Sequence, residues 1–256
     1  MSWVETTSLS FSARHAQDDA ASAERILDEL EDLRLELEQR LPAVSEDVAV
    51  IVHSSPAQLA LAHPYLLVAQ RLAAPAARRY LAGWATRTEL HVLADREVEA
   101  RAAGPESRLA LLGTPARLYA QHAVATGSGW LPPPWTPRRF TRYLRYAWLV
   151  EGAAQYFSSQ VPLFRAAVGR RLREGPKPAF PPKAADAVVL GGTVFELLSE
   201  LRGPSACEVL ASRPRRGGPE AAVALAFEAP VAEVAREWRA HLERIRPGGA
   251  DGARTT

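Results

Sequence analysis

The chain has 256 residues, of which 47% are hydrophobic and 23% charged, the composition of a soluble globular protein with a sizeable core. Its 31 basic and 29 acidic residues give a net charge of +2, which argues against a nucleic-acid-binding surface. A single cysteine, Cys207, excludes an internal disulfide framework. We find no signal peptide and no run of 18 apolar residues, and therefore expect a cytoplasmic protein without a membrane span.

The N-terminal part mixes strand and helix patterns. Residues 3–11 predict an edge strand, and residues 16–41 predict a long amphipathic helix that Pro42 ends. Residues 47–53 (DVAVIVH) are typical of a strand, and two short helices are expected at 56–62 and 65–73. Residues 88–94 alternate as a second strand, with Leu90, Val92 and Ala94 on one face and Glu89, His91 and Leu93 on the other.

The C-terminal part is predicted to be helical. Its first helix begins at Thr114-Pro115 and runs to about Ala125, where Gly127-Ser128-Gly129 ends it. Further helices are expected at 138–158, 161–174, 183–201, 205–212, 219–227 and 230–245. The fold class is therefore α+β: a small N-terminal sheet with a long helix, then a mostly helical subdomain. We divide the chain into residues 1–104, residues 105–246 and a disordered tail, 247–256.

Two polar residues stand on apolar helix faces in this helical part. His122 shares a face with Leu111, Leu118 and Ala125, and Glu151 lies on a similar stripe of the 138–158 helix. A carboxylate in such a place is costly unless it is paired or bound to a metal. We therefore expect Glu151 and His122 to hydrogen-bond each other, with Tyr119, Tyr143, Tyr146 and Tyr156 as candidates to complete the network.

The segment around Glu151 carries a family resemblance. Residues 148–156 (WLVEGAAQY) resemble the W-L-x-E-G-x-A-x-Y segment of the gluzincin, or peptidase-MA-like, metallopeptidases, relatives of thermolysin and aminopeptidase N. The resemblance extends over about residues 3 to 245, and strand 88–94 is similar to the family's edge strand, which lines the cleft and can pair with an extended peptide.

The resemblance implies a degenerate metal site. Active members bind zinc through an H-E-x-x-H helix and a glutamate, and this chain contains no H-E-x-x-H. His122 matches the second histidine and Glu151 the glutamate ligand, whereas Leu118 stands in place of the first histidine and Tyr119 in place of the general base. Leucine cannot bind a metal, and a phenol is a poor base at neutral pH. We therefore expect no metal and no other cofactor; zinc would bind only if other residues rebuild the site.

The leading hypothesis is a non-catalytic gluzincin-like pseudopeptidase whose cleft binds a peptide, a small ligand or another protein. One alternative is a metal-dependent hydrolase, a peptidase, with a zinc site rearranged around His122, Glu151 and His91. Another is a metal-independent enzyme in which His122 is the acid or base and Glu151 tunes its pKa. The catalytic candidates are His122, Glu151 and Tyr119. The predicted binding cleft consists of His91, Leu118, Tyr119, His122, Trp148, Glu151 and Gln155.

Two further features leave alternatives open. His15, His53, His63, His91 and His241 are interpreted as surface or capping histidines. The proline-rich segment 130–137 is expected to be either a rigid rim that contacts a ligand or a loop that covers the edge of the core.

Overall fold

A five-stranded mixed sheet forms the N-terminal part of the computed structural model, which describes residues 3–45, 47–213 and 217–246. Its strands are β1 (Trp3–Thr7), β2 (Phe11–Ala16), β3 (Val48–His53), β4 (Gly83–Ala85) and β5 (Glu89–Leu93), in the spatial order β1-β2-β3-β5-β4. β2, β3 and β5 run parallel, while β1 and β4 are antiparallel to their neighbours. The fold class predicted from the sequence, α+β, is confirmed.

The strands differ from the predicted ones in two places. The expected edge strand at 3–11 is a hairpin, because the chain turns at 8–10 and Phe11–Ala16 forms β2 with Phe11, Ala13 and His15 buried. The strand predicted at 88–94 is not at the edge of the sheet. Its β5 is paired on both sides, and the short β4 is the edge strand. Three residues are too few to give a readable alternation, which is why β4 escaped prediction.

Thirteen α-helices are seen in the described part of the chain. The first, α1 (Ala20–Glu38), buries the expected stripe of Ile26, Leu30, Leu33 and Leu37. It begins four residues later than predicted because β2 occupies the preceding segment. The others are α2 (Pro56–Ala62), α3 (Pro64–Leu72), α4 (Pro75–Arg78), α5 (Asp95–Arg101), α6 (Pro105–Leu112), α7 (Thr114–Ser128), α8 (Pro137–Phe157), α9 (Arg165–Glu174), α10 (Ala184–Arg202), α11 (Pro204–Ser212), α12 (Pro219–Phe227) and α13 (Val231–Ile245).

Proline marks the start of most of these helices, which explains why their bounds are readable from the sequence. At the first turn the missing N–H costs nothing, because that group has no partner within the helix. At its other end, α7 stops where Gly129 takes a left-handed conformation, with φ of 67°. The helices predicted between 114 and 245 therefore agree with the observed ones to within about four residues.

Helices α7, α8 and α10 form the centre of the helical part. α8 and α10 approach each other at two glycines: a Cβ on Gly152 would lie 2.5 Å from the backbone oxygen of Gly191. Close contact at this point holds the central turn of α8, which carries Glu151, against the body of the protein. The division at residue 104 stays a prediction, and the tail at 247–256 lies outside the described residues. None of the described helices combines the length and apolarity needed to cross a lipid bilayer.

Candidate functional site

Glu151 is paired with an arginine. Its Oε2 lies 3.3 Å from Nη1 of Arg117, and its Oε1 accepts a hydrogen bond of 2.9 Å from the Tyr143 hydroxyl. Arg117 also donates from Nη2 to the Tyr80 carbonyl at 3.1 Å. Arg117 and Glu151 are only 3% and 6% exposed. The carboxylate on the apolar helix face is thus stabilised by a buried cation and a phenol.

Tyr143 takes part in this buried cluster as a hydrogen-bond donor. Burial, reinforced by the negative charge of Glu151, raises the pKa of Tyr143 well above its usual value of 10.0. Its hydroxyl therefore keeps its proton at neutral pH and donates it to the carboxylate. α8 departs from helical geometry at Tyr146, between Tyr143 and Glu151, with φ of −118° and ψ of 23°. Of the tyrosines considered as partners from the sequence, Tyr143 is therefore the one that hydrogen-bonds Glu151.

The prediction that His122 hydrogen-bonds Glu151 is wrong. His122 Nε2 instead donates to the backbone oxygen of Arg87 at 2.7 Å, and its Nδ1 has no partner among the described residues. Burial lowers the pKa of His122, against an opposing contribution from the Arg87 hydrogen bond, so the ring is neutral at pH 7. His122 therefore lies on a different side of α7 from the one that contacts α8.

Leu118 and Tyr119 also lie away from Glu151. Leu118 packs against Gly83 of β4, where an added Cβ would meet its Cδ1 at 2.7 Å. The Tyr119 hydroxyl donates to the Ser45 carbonyl at 2.8 Å, and its ring meets Phe11 edge-on. The two residues expected in place of the first histidine and the base are therefore structural contacts of the sheet and of the segment between α1 and β3.

The residues of α7 that face Glu151 are one position earlier than those predicted. Arg117 makes the contact, and Gln121, one turn later, shares its side of the helix. Sequence reasoning missed Arg117, although an arginine within the apolar stripe and the Arg117/Gln121 spacing of four residues were both readable. Residues 117 and 121, rather than 118 and 122, therefore lie on the side of α7 that faces Glu151.

This set of side chains does not fit a zinc ion. Guanidinium nitrogens only donate, and the Tyr143 phenol keeps its proton, which leaves Glu151 as a single strong ligand. In the described ranges, no group of three convergent histidine, cysteine, aspartate or glutamate side chains includes His122, Glu151 or His91. The rearranged zinc site proposed from the sequence is therefore not assembled by these three residues.

His91 belongs to a separate cluster of histidines. Its Nδ1 lies 3.0 Å from Nε2 of His53, its Nε2 lies 3.1 Å from the Glu89 carboxylate, and its ring meets that of His63 at 3.9 Å between centroids. Burial, together with a smaller contribution from the neighbouring histidines, lowers the pKa of His91 to about 3 and that of His53 to about 4. The interpretation as surface or capping residues is wrong for His15, His53, His91 and His241, which are all buried.

Acidification is expected to destabilise the fold through His53 and His91. Above pH 6.5 both rings are neutral in the folded and unfolded chains, and the pair has no effect on pH dependence. As the pH falls from 6.5 towards 4, the unfolded chain binds protons that the folded chain, with its lowered pKa values, does not bind. The free energy of unfolding should drop by about 2 kcal/mol for each histidine between pH 7 and pH 5, and so by up to about 4 kcal/mol for the pair. Urea titrations across this range measure it, and equal pH dependence in wild type and a His53→Leu/His91→Leu variant would contradict it.

The proline-rich segment 130–137 covers the edge of the sheet. Trp135 Nε1 donates to the Ala85 carbonyl at 2.6 Å, and its ring stacks on Trp84 at 4.2 Å. Arg139 holds the segment in place through the carbonyls of Leu131 and Pro133, each at 2.9 Å. Of the two alternatives left open by the sequence, the structure favours a cover. The Ala85 carbonyl on the edge strand is thus already occupied.

The two remaining cleft candidates have different surroundings. Gln155 is fully buried and joins α8 to α10: its Nε2 donates to the Val188 carbonyl at 2.5 Å, and its Oε1 accepts from Gly192 N at 3.2 Å. Trp148 instead lines an open cavity of about 780 Å³ between α3, α8 and α10, and its indole Nε1 has no partner among the described residues. Of the predicted cleft residues, Trp148 therefore borders space that a ligand can enter.

Comparison of the chain with models of known protein families, with curated proteins and with solved structures finds no significant match.

Proposed function

We propose that the chain is a non-catalytic gluzincin-like protein, a pseudopeptidase that binds a peptide or protein segment. One observation carries the proposal: the guanidinium of Arg117 contacts the carboxylate of Glu151, the residue that the resemblance makes a metal ligand. A buried cation at that carboxylate takes the place of the charge that a zinc ion would supply. The two side chains that contact it, the Arg117 guanidinium and the Tyr143 phenol, whose pKa burial raises, both keep their protons at neutral pH, so neither can act as a general base.

The covered edge strand changes where a ligand would bind. Strand addition beside β4 is opposed by Trp135, which occupies the Ala85 carbonyl. The cavity of about 780 Å³ is the better candidate, because Leu72, Leu144 and Phe180 line it with apolar surface beside the indole of Trp148. Its charged lining residues are Arg145, Lys183 and Glu220. The apolar lining and the excess of positive charge favour a peptide with apolar side chains and an acidic residue.

Two assays on the full chain test the two halves of this proposal. Peptide-library hydrolysis should be undetectable with and without added zinc; turnover that a chelator abolishes and zinc restores would refute the absence of catalysis. An array of acidic amphipathic peptides should bind the wild type and lose about tenfold or more in affinity to Leu144→Asp, since a charge in an apolar contact costs more than 1.4 kcal/mol. Leu201→Asp, at a leucine 52% exposed on α10, is the control. Equal binding by both variants would exclude the cavity as the site.

A further inference from the structure

Five of the exposed large apolar side chains in the described part of the chain lie within residues 61–72, on α2 and α3. Leu61, at the end of α2, is 86% exposed, and Leu67 and Val68 of α3 are 46% and 41% exposed. On α3, Leu67, Val68 and Arg71 share the side of the helix that faces away from the buried Leu66. The outward side of a surface helix is normally polar, so the packing of α3 gives no reason for leucine and valine there.

This apolar surface continues from α3 onto α8. The ring of Tyr65 lies beside that of Phe140, with 5.8 Å between the centroids. Leu72 of α3 and the exposed Leu144 of α8 border the same cavity. The apolar face therefore consists of Leu61, Tyr65, Leu67, Val68, Leu72 and Leu144. A continuous exposed face of this kind marks an interaction site on a folded protein.

The charge around the apolar face is positive. Helices α2 and α3 and residues 137–150 of α8 contain no aspartate or glutamate. Their basic residues are Arg71, Arg138, Arg139, Arg142 and Arg145. Arg71 and Arg145 are exposed, and neither forms an ion pair within the described ranges. Glu220, an acidic residue that lines the neighbouring cavity, belongs to α12. An apolar face with unpaired arginines beside it complements a surface that is both apolar and anionic.

We propose that this face docks on the surface of an anionic lipid bilayer. Leu61, Leu67 and Val68 enter the boundary between headgroups and acyl chains, while Arg71 and Arg145 contact the lipid phosphates. A side chain as exposed as Leu61 stands above its surroundings, which suits a deformable bilayer better than the fixed surface of a folded partner. A second copy of the chain would bring arginines against arginines, which opposes self-association through this face. Docking goes beyond the proposed peptide binding, because Leu61, Leu67 and Val68 do not line the cavity.

Co-sedimentation of the full chain with lipid vesicles at neutral pH tests the proposal. Wild type should bind vesicles of equal parts phosphatidylglycerol and phosphatidylcholine about tenfold or more tightly than vesicles of phosphatidylcholine alone. Leu61→Ser/Leu67→Ser should weaken binding about tenfold or more, since it removes apolar area that the bilayer would bury. Arg71→Gln should weaken binding to the anionic vesicles about fivefold. The matched control is Leu35→Ser/Leu201→Ser, at two leucines that are each 52% exposed on α1 and at the C-terminal end of α10, and it should equal wild type.

Several results would overturn lipid docking. Wild type that does not bind the anionic vesicles is one, and equal binding by Leu61→Ser/Leu67→Ser and its control is another. A lipid-free dimer that Leu61→Ser/Leu67→Ser dissociates would assign the face to a second copy, and acidic peptides that lose affinity to this variant would assign it to a peptide. Vesicle binding without peptide binding would support docking and refute the proposed peptide-binding function, so the two failures are distinguishable.

Discussion

The triple variant Arg117→His, Leu118→Glu, Gln121→His is expected to bind zinc at Glu151. Positions 117 and 121 lie one turn apart on the side of α7 that meets α8, and Arg117 already contacts Glu151. The substitutions remove the competing guanidinium and place two imidazoles beside the carboxylate, the ligand set of a catalytic zinc site. Affinity for zinc at this position should rise by a factor of about 100 or more. Elemental analysis after incubation with zinc and dialysis, with the wild type treated in the same way, measures it.

The double variant Leu118→His, Tyr119→Glu is the matched control. It builds the same motif one residue later, with His122 as the second histidine. Leu118 packs on Gly83 and Tyr119 is fully buried against Phe11, so this pair should not gain zinc. Leu118→Glu in the triple variant and Tyr119→Glu in this one each place a carboxylate in an apolar site, so both variants should be less stable than the wild type. Zinc binding by this double variant and not by the triple variant would show that residues 118–122 are the true counterpart of the motif.

Loss of Arg117 alone is expected to be strongly destabilising. Arg117→Met leaves Glu151 buried with Tyr143 as its remaining partner, and breaking a buried ion pair in this way costs about 3–5 kcal/mol. The double variant Arg117→Met/Glu151→Met removes both charges and should recover most of that free energy of unfolding. Urea unfolding of the two single variants, the double variant and the wild type gives the coupling energy directly.

An exposed pair in the same protein provides the comparison. Arg108 and Glu99 form an ion pair whose side chains are 50% and 48% exposed, and Arg108→Ala should cost less than about 1 kcal/mol. A similarly small cost for Arg117→Met would mean that water reaches Glu151, and it would remove the argument that the Arg117 guanidinium stands in for a metal.

The helical half was predictable because its signals are local. Prolines in first turns and Gly129 after α7 mark where helices begin and end. In the N-terminal part, the stripe from Ile26 to Leu37 likewise predicted the buried face of α1. The sheet depended on distant pairing. β4 has three residues, and its place at the edge follows from its contact with β5, which no property of residues 83–85 indicates.

The candidate site was predictable to within one residue along α7. The cost of burying Glu151 correctly indicated that it needs a partner, and Tyr143 was among the candidates. The choice between Arg117 and His122 depends on the rotation of α7 against α8, which side-chain packing at Leu118 and Tyr119 sets. The same reason explains the histidines: His53 and His91 come together only through the β3–β5 register.

The two edges of the sheet differ in a way that bears on self-association. At β4, Trp135 covers the strand and hydrogen-bonds the Ala85 carbonyl. At the opposite edge β1 is open to solvent, with Trp3 55% exposed and Val4 38% exposed. An uncovered strand edge is a template for intermolecular pairing, and a charge such as Glu5 in its middle is a common protection. If the protein polymerised in an ordered way through its sheet, the added strand would therefore pair with β1. An affinity tag fused at the N-terminus would lie beside that edge.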